Sequence, residues 1–176
     1  MNIIIIGFKG CGKTLIGKIL AARLEKKFHD IDSIIESIYT EETKDHLSFR
    51  EIYIKQGREY FKKLEKKALE EAQKINSGVI SLGGGTPFAE DDVFRRLADD
   101  IVIYLHVEPD MLYERIMKNG IPAFFDGADP RKSFDKLYAE RLPTYKKLAD
   151  IIVDNSKGAE NTINIILEEL RNKNQI

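Results

Sequence analysis

Four isoleucines, Ile3–Ile6, follow one another with no polar interruption. Such a run predicts a strand buried on both faces, over Asn2–Ile6, of the kind found inside parallel sheets. The period then changes. Leu15, Ile16, Ile19, Leu20 and Leu24 recur at helical spacing and predict a helix over Lys13–Lys27. Phe28–Ile31 is short enough for a second strand. Ser48–Gln56 and Arg58–Ile75 read as two helices interrupted at Gly57, the second rich in Lys, Glu, Leu and Ala. Val79–Leu82 and Ile101–Val107 predict strands, with a short helix over Asp91–Ala98 between them. Pro109 opens a helix to about Lys118. Asn119–Pro130 has little periodicity and holds Gly120, Pro122, Gly127 and Pro130, which predicts a mobile loop of functional length. Arg131–Leu148 is helical with a kink or break expected at Pro143. Ile151–Val153 is a last strand and Glu160–Arg171 a closing amphipathic helix. This alternation predicts an α/β fold, a parallel sheet with helices on both faces.

The junction of the first strand and helix carries the strongest chemical signal. Gly7-Phe8-Lys9-Gly10-Cys11-Gly12-Lys13-Thr14 matches G-x-x-x-x-G-K-[ST], a phosphate-binding loop in the strand-loop-helix setting its mechanism requires. Its glycines let backbone N–H groups turn toward phosphate oxygens. Lys13 is placed to reach the terminal phosphates and the Thr14 hydroxyl to ligate Mg²⁺. The helix that follows adds the positive end of its dipole. The glycine spacing is not G-x-G-x-x-G, which disfavours a dinucleotide-binding oxidoreductase.

Composition narrows the partners. The chain has 176 residues and a net charge of −1, sized for a single domain over 1–176. With no basic stripe, the expected partner is a small molecule and not nucleic acid. No apolar stretch is long enough to span a bilayer. A single cysteine and no leader-like segment lead to the expectation of a soluble, cytoplasmic protein. With no large apolar stripe left over, a monomer is expected.

Three further constellations matter. Asp30-Ile31-Asp32 lies at the C-terminal end of the second predicted strand, and along a strand residues i and i+2 share a side. Both carboxylates are therefore expected at the sheet's C-terminal edge, one for Mg²⁺ and one to accept a proton from an attacking hydroxyl. The plainer alternative is a pair of turn acids capping the next helix. Gly83-Gly84-Gly85 after Ser81-Leu82 predicts close approach of a ligand to backbone. Arg115, Lys118, Arg131, Lys132 and Arg141 surround the predicted mobile loop and are candidates to stabilise charge on a transferring phosphate. His29, His46 and His106 are scattered, so no zinc site is expected. Cys11 reads as a small filler, or as a thiol activated near Lys13.

Taken together, these motifs resemble the shikimate kinases nearly end to end. The resemblance is carried by Gly7–Thr14, Phe28-His29-Asp30-Ile31-Asp32, the run Gly57–Glu65, Ser81–Gly85, and Arg141-Leu142-Pro143-Thr144-Tyr145, which is similar to the family's R-x-P-x-Y signature. It implies a three-layer P-loop kinase fold of the nucleoside-monophosphate-kinase type, with a five-stranded parallel sheet, substrate-binding helices within about 31–75 and a mobile lid at about 119–130. It implies transfer of the γ-phosphate of ATP to the 3-hydroxyl of shikimate. The implied ATP contacts are Gly10, Cys11, Gly12, Lys13, Thr14, Leu15 and Arg115, with Thr14 and Asp30 for Mg²⁺. Asp32 is implied as base and substrate ligand, with Lys13 as the other catalytic residue. Phe61, Lys62, Glu65, Gly83, Gly84, Gly85 and Arg141 are implied around the acceptor, Arg141 on its carboxylate.

Two positions depart from the family pattern. Lys62 stands where the family has an arginine on the acid's carboxylate, keeping the charge but losing the planar fork. Arg58, one helical turn earlier, is placed to compensate. In the lid, Ile121-Pro122-Ala123-Phe124-Phe125 replaces a run that begins with arginine. Two alternatives stay open on this sequence: a kinase of the same fold for another hydroxylated metabolite, and a weakly active nucleotide-binding module with a regulatory role.

Overall fold

The isoleucine run forms β1 (Ile3–Ile6), and all four side chains are buried. In the computed structural model, residues 1–86 and 100–176 are described; the helix expected over Asp91–Ala98 lies outside them. After β1 come α1 (Lys13–Arg23), β2 (Phe28–Asp30), α2 (Ile31–Thr43), α3 (Phe49–Ala72) and β3 (Val79–Ser81). They are followed by β4 (Ile101–His106), α4 (Pro109–Met117), α5 (Pro130–Leu148), β5 (Ile151–Asp154) and α6 (Ala159–Asn172).

The five strands form one parallel sheet in the order β2-β3-β1-β4-β5. Ile3 is in register with Val79 on one side and Ile101 on the other. Position in this order explains the side-chain patterns. Central β1, β3 and β4 are apolar and almost wholly buried. Edge strand β5 alternates, with Ile151 and Val153 buried and Ile152 and Asp154 exposed. The chain leaves β1 toward β2, then crosses back past β1 from β3 to β4. Right-handed crossovers therefore put α1, which packs on α6, on one face and α4 with α5 on the other. This reversal makes the C-terminal end of β1 a topological switch point, and the phosphate loop starts there.

Local sequence explains the helix ends. Ser48 and Glu51 form a reciprocal capping box at the start of α3. Gly57 interrupts α3 with φ 79° and ψ 173°, a left-handed backbone value that glycine alone adopts without strain, and the two halves predicted from sequence meet there. No break occurs at Pro143: α5 runs from Pro130 to Leu148. The aromatic packing of this helix holds it together through the missing N–H, since Phe134, Tyr138 and Tyr145 are all buried.

Candidate active site

The phosphate loop, β2–α2, α3, the triple-glycine loop and α5 surround one cavity of about 780 Å³. Gly10, Gly12, Lys13, Thr14 and Leu15 line it from the phosphate loop and the first turn of α1. Cys11 does not: its side chain is buried beneath the loop, as a small filler would be, with its sulfur 4.0 Å from the Lys13 ammonium. The Lys13 ammonium donates to the Gly7 and Phe8 carbonyls at 2.9 and 3.1 Å. The loop is braced from behind by a residue the sequence did not single out. The buried Asn155 amide donates to the Cys11 carbonyl at 2.7 Å and accepts from the Thr162 hydroxyl at 2.7 Å, tying β5 and α6 to the loop. An isolated asparagine after a strand carries no sequence signal that separates it from a turn residue. Arg115 bonds the Asn155 carbonyl at 3.2 Å and stands outside the cavity lining.

Asp30 and Asp32 both reach the cavity, but not by the expected route. The helix begins one residue earlier than strand alternation assumes. Asp30 is the N-cap of α2 and accepts from the Asp32 N–H at 3.1 Å, while Asp32 sits in the first helical turn. The capping reading is met by Asp30, whose other oxygen accepts from the Thr14 hydroxyl at 2.8 Å. A hydroxyl and a carboxylate oxygen adjacent at the mouth of the phosphate loop are hard oxygen donors of the type Mg²⁺ takes.

The triple-glycine loop packs directly on this charge cluster. A Cβ at Gly84 would stand 2.9 Å from the Lys9 nitrogen, and one at Gly83 would stand 3.1 Å from the Asp32 carboxyl. Only glycine allows the two loops to approach this closely. Arg141 donates to the Gly84 carbonyl at 2.9 Å and lies 5.4 Å from the centre of the Phe8 ring. Glu65 accepts from the Thr86 hydroxyl at 3.3 Å.

Burial governs the carboxyls. Asp32 is pushed up to about 6 by burial and then by the neighbouring Asp30, with Lys13 and Lys9 opposing. Glu65 is pushed up to about 7, again by burial first, with the Thr86 hydrogen bond opposing, Asp32 adding to the rise, and Arg141 and Lys62 opposing.

The aromatic wall facing these charges comes from α3. Phe49, Tyr53 and Phe61 line the cavity, and Tyr53 meets Phe61 edge-on at 5.5 Å. Phe49 and Tyr53 are missing from the sequence-derived set, although their spacing of four on one helix is a legible signal. Lys62 and Arg58 both line the cavity; Lys62 is partly exposed and pairs with Glu59 at 3.7 Å. From the 119–130 segment, Pro122, Ala123 and Phe124 line the cavity while Phe125 is buried against Phe134. Arg50, also unforeseen, donates to the Ile121 carbonyl at 3.0 Å. Lys118, Arg131 and Lys132 do not line the cavity; Arg131 is committed to Asp110 and Asp135.

The sequence model of the shikimate kinase family matches residues 9–171. The chain belongs to the shikimate kinase family. Among shikimate kinases, that of Caldanaerobacter subterraneus subsp. tengcongensis is 33% identical over 169 residues, 96% of this chain and 93% of that one. The shikimate kinase of Alkaliphilus oremlandii is 35% identical over 138 residues, 77% of this chain and 76% of that one. A solved structure of the Acinetobacter baumannii shikimate kinase in complex with shikimate superposes with a TM-score of 0.86 at 25% identity, covering 98% of this chain and 93% of that one. The family assignment bears out the P-loop kinase fold and the ATP-dependent kinase class read from the motifs. Among the described residues, no helix is long and apolar enough to cross a membrane.

Proposed function

We propose that this shikimate kinase family member transfers the γ-phosphoryl group of ATP to the 3-hydroxyl of shikimate, with the residues of the cavity described above in the following roles. Lys13 and the backbone N–H groups of Gly10–Thr14 hold the ATP phosphates. Thr14 and Asp30, already 2.8 Å apart, hold Mg²⁺, which when bound neutralises phosphate charge. Asp32 in its ionised form orients the acceptor hydroxyl and takes its proton. Arg141 pairs with the acceptor's carboxylate, and Lys62 and Arg58 add positive charge on that side. Phe49, Tyr53 and Phe61 pack against the acceptor ring, and Gly83–Gly85 offer it backbone groups. The 119–130 segment closes over the cavity as a lid and excludes water, the competing acceptor. The chain works as one domain, a cytoplasmic monomer acting on a small molecule.

The observation that carries this reading is the meeting of two half-sites. Phosphate-loop residues Lys13 and Thr14, the carboxyl of Asp32, and the acceptor-side residues Glu65, Gly83–Gly85 and Arg141 all line the same cavity. Little covalent chemistry is asked of the protein, since positioning and charge neutralisation carry phosphoryl transfer.

The test is ADP release with ATP and Mg²⁺, with and without shikimate, using Lys13→Ala as the blank. Stimulation by shikimate to a turnover of about 1–100 s⁻¹ is expected. ATP binding without shikimate-dependent turnover would shift the acceptor to another hydroxylated acid or polyol. The Lys62–Glu59 pair and the aromatic Phe124 at the rim favour that second reading over a non-catalytic role.

A further inference from the structure

Lys9 is a lysine inside the phosphate loop that the motif does not call for. Its backbone sits at the seam where the phosphate loop meets the triple-glycine loop, the main-chain nitrogen 2.9 Å from where a Gly84 Cβ would stand. Its side chain is half-buried and lines the cavity, with Nζ 5.4 Å from the centre of the Phe49 ring. Among the described residues that ring is the ammonium's contact, and it makes no hydrogen bond or ion pair.

Two cations stand close enough to disfavour its charge, Arg50 and Lys13, and burial disfavours it more. Asp32 alone opposes them. A half-buried ammonium beside two other cations is costly unless an anion completes the cluster. The cations of the cavity also divide into two neighbourhoods. Lys9 and Lys13 are those that act on Asp32, whereas Arg141 and Lys62 are those that act on Glu65. The second pair faces the acceptor's carboxylate in the reading above. The first pair lines the same cavity as Asp32, the base in that reading.

We propose that Lys9 is a catalytic residue whose ammonium contacts the transferring phosphoryl group on its path from Lys13 to Asp32. The inference rests on the kinase reading above. In the step it serves, the bond from the β,γ-bridging oxygen to the γ-phosphorus breaks and ADP leaves with the electron pair. A bond forms from the acceptor hydroxyl oxygen to that phosphorus, and the hydroxyl proton passes to Asp32. Charge builds on the equatorial oxygens of the group in flight, and Lys9 neutralises it there. Arg50, through its bond to the Ile121 carbonyl, holds the lid backbone over the same space.

Lys9→Met keeps the aliphatic stem over Phe49 and removes the charge. Its kcat is expected to fall by about tenfold or more, the scale of comparable electrostatic groups, with the KM for shikimate moving less than about threefold. Lys9→Arg is expected to recover part of the loss. An unchanged kcat, or a KM for shikimate raised about tenfold at constant kcat, overturns the proposal, the latter by making Lys9 a carboxylate ligand. Thermal unfolding and ADP affinity of each variant show that it is folded. A second measurement does not depend on the acceptor: the gain in ADP affinity when Mg²⁺ and aluminium fluoride, a planar phosphoryl mimic, are added. Lys9→Met is expected to lose at least about tenfold of that gain with ADP binding alone unchanged; an equal gain in wild type and variant overturns the proposal. Absence of shikimate-dependent turnover in the wild type would sink the acceptor assignment while the fluoride measurement still decides Lys9.

Discussion

Arg141 and Tyr145, one turn apart on α5, donate to the same backbone oxygen, the carbonyl of Gly84. The distances are 2.9 and 2.5 Å. An R-x-P-x-Y spacing thus becomes a clamp that sets the height of the triple-glycine loop and the direction of the Arg141 guanidinium together. Tyr145 is buried and stacks on Tyr104 at 5.2 Å, so the clamp is anchored in the core. Tyr145→Phe keeps the stack and removes one donor. It is expected to lower stability by about 1 kcal/mol, from the lost hydroxyl bond to Gly84, and to raise the KM for shikimate a few-fold, from a loosened triple-glycine loop that Arg141 alone then holds. Steady-state kinetics beside urea unfolding check this.

Asp32 predicts the acid limb of the activity profile. Its carboxyl is pushed up to about 6, and in its proposed role as base it must be ionised, so kcat/KM for shikimate is expected to fall tenfold per pH unit below about pH 6. A limb centred near the ordinary aspartate value of about 4 would contradict the burial argument.

The same group sets a stability trend of opposite sense. The folded protein holds the Asp32 proton to about pH 6 while the unfolded chain releases it near 3.8. Between those values the folded state binds more protons, so stability falls as pH rises and stays lower above the window. Asp32→Asn is therefore expected to abolish turnover yet raise stability at pH 8 by about 2 kcal/mol. At pH 4 the gain should vanish. Melting curves of wild type and variant at the two pH values test the sign.

Lys62 offers a gain of function. Its flexible ammonium is partly exposed and shared with Glu59. Lys62→Arg supplies the planar fork and is expected to lower the KM for shikimate roughly tenfold with little change in kcat, on the scale of one charge-assisted hydrogen bond. Arg58→Ala in the wild-type background should raise that KM if Arg58 shares the load. An unchanged KM would remove it from the acceptor site.

Asn155 is predicted to act at a distance. Asn155→Ala leaves the Cys11 carbonyl and the Thr162 hydroxyl without the amide between them. A loss of about 2–3 kcal/mol in stability is expected from two buried groups left unpaired. The KM for ATP should rise several-fold with the KM for shikimate nearly unchanged, because the braced element is the phosphate loop.

Much of the site was legible because its chemistry depends on local backbone. Gly7–Thr14, Gly83–Gly85 and the break at Gly57 each express what a short stretch of chain can do by itself, whatever surrounds it. The unbroken isoleucines of β1 and the alternation in β5 likewise report burial on both faces or one. Local rules also misled. Strand periodicity put Asp30 and Asp32 on one side of a strand end, but the Asp30 cap starts the helix at Ile31, and Pro143 does not break a helix that buries three aromatic side chains.

The order β2-β3-β1-β4-β5 and everything that depends on long-range contact belonged to the tertiary structure. Asn155 lies 144 residues from the loop carbonyl it bonds, and Arg50 lies 71 residues from the Ile121 oxygen. No window along the chain contains both ends of such a pair. Composition and motif determined that this protein holds nucleotide phosphates on a glycine-rich loop. Packing decided which carboxyls are desolvated, which cations face Asp32 and which face Glu65, because burial and charge neighbourhood exist only once distant segments share one cavity.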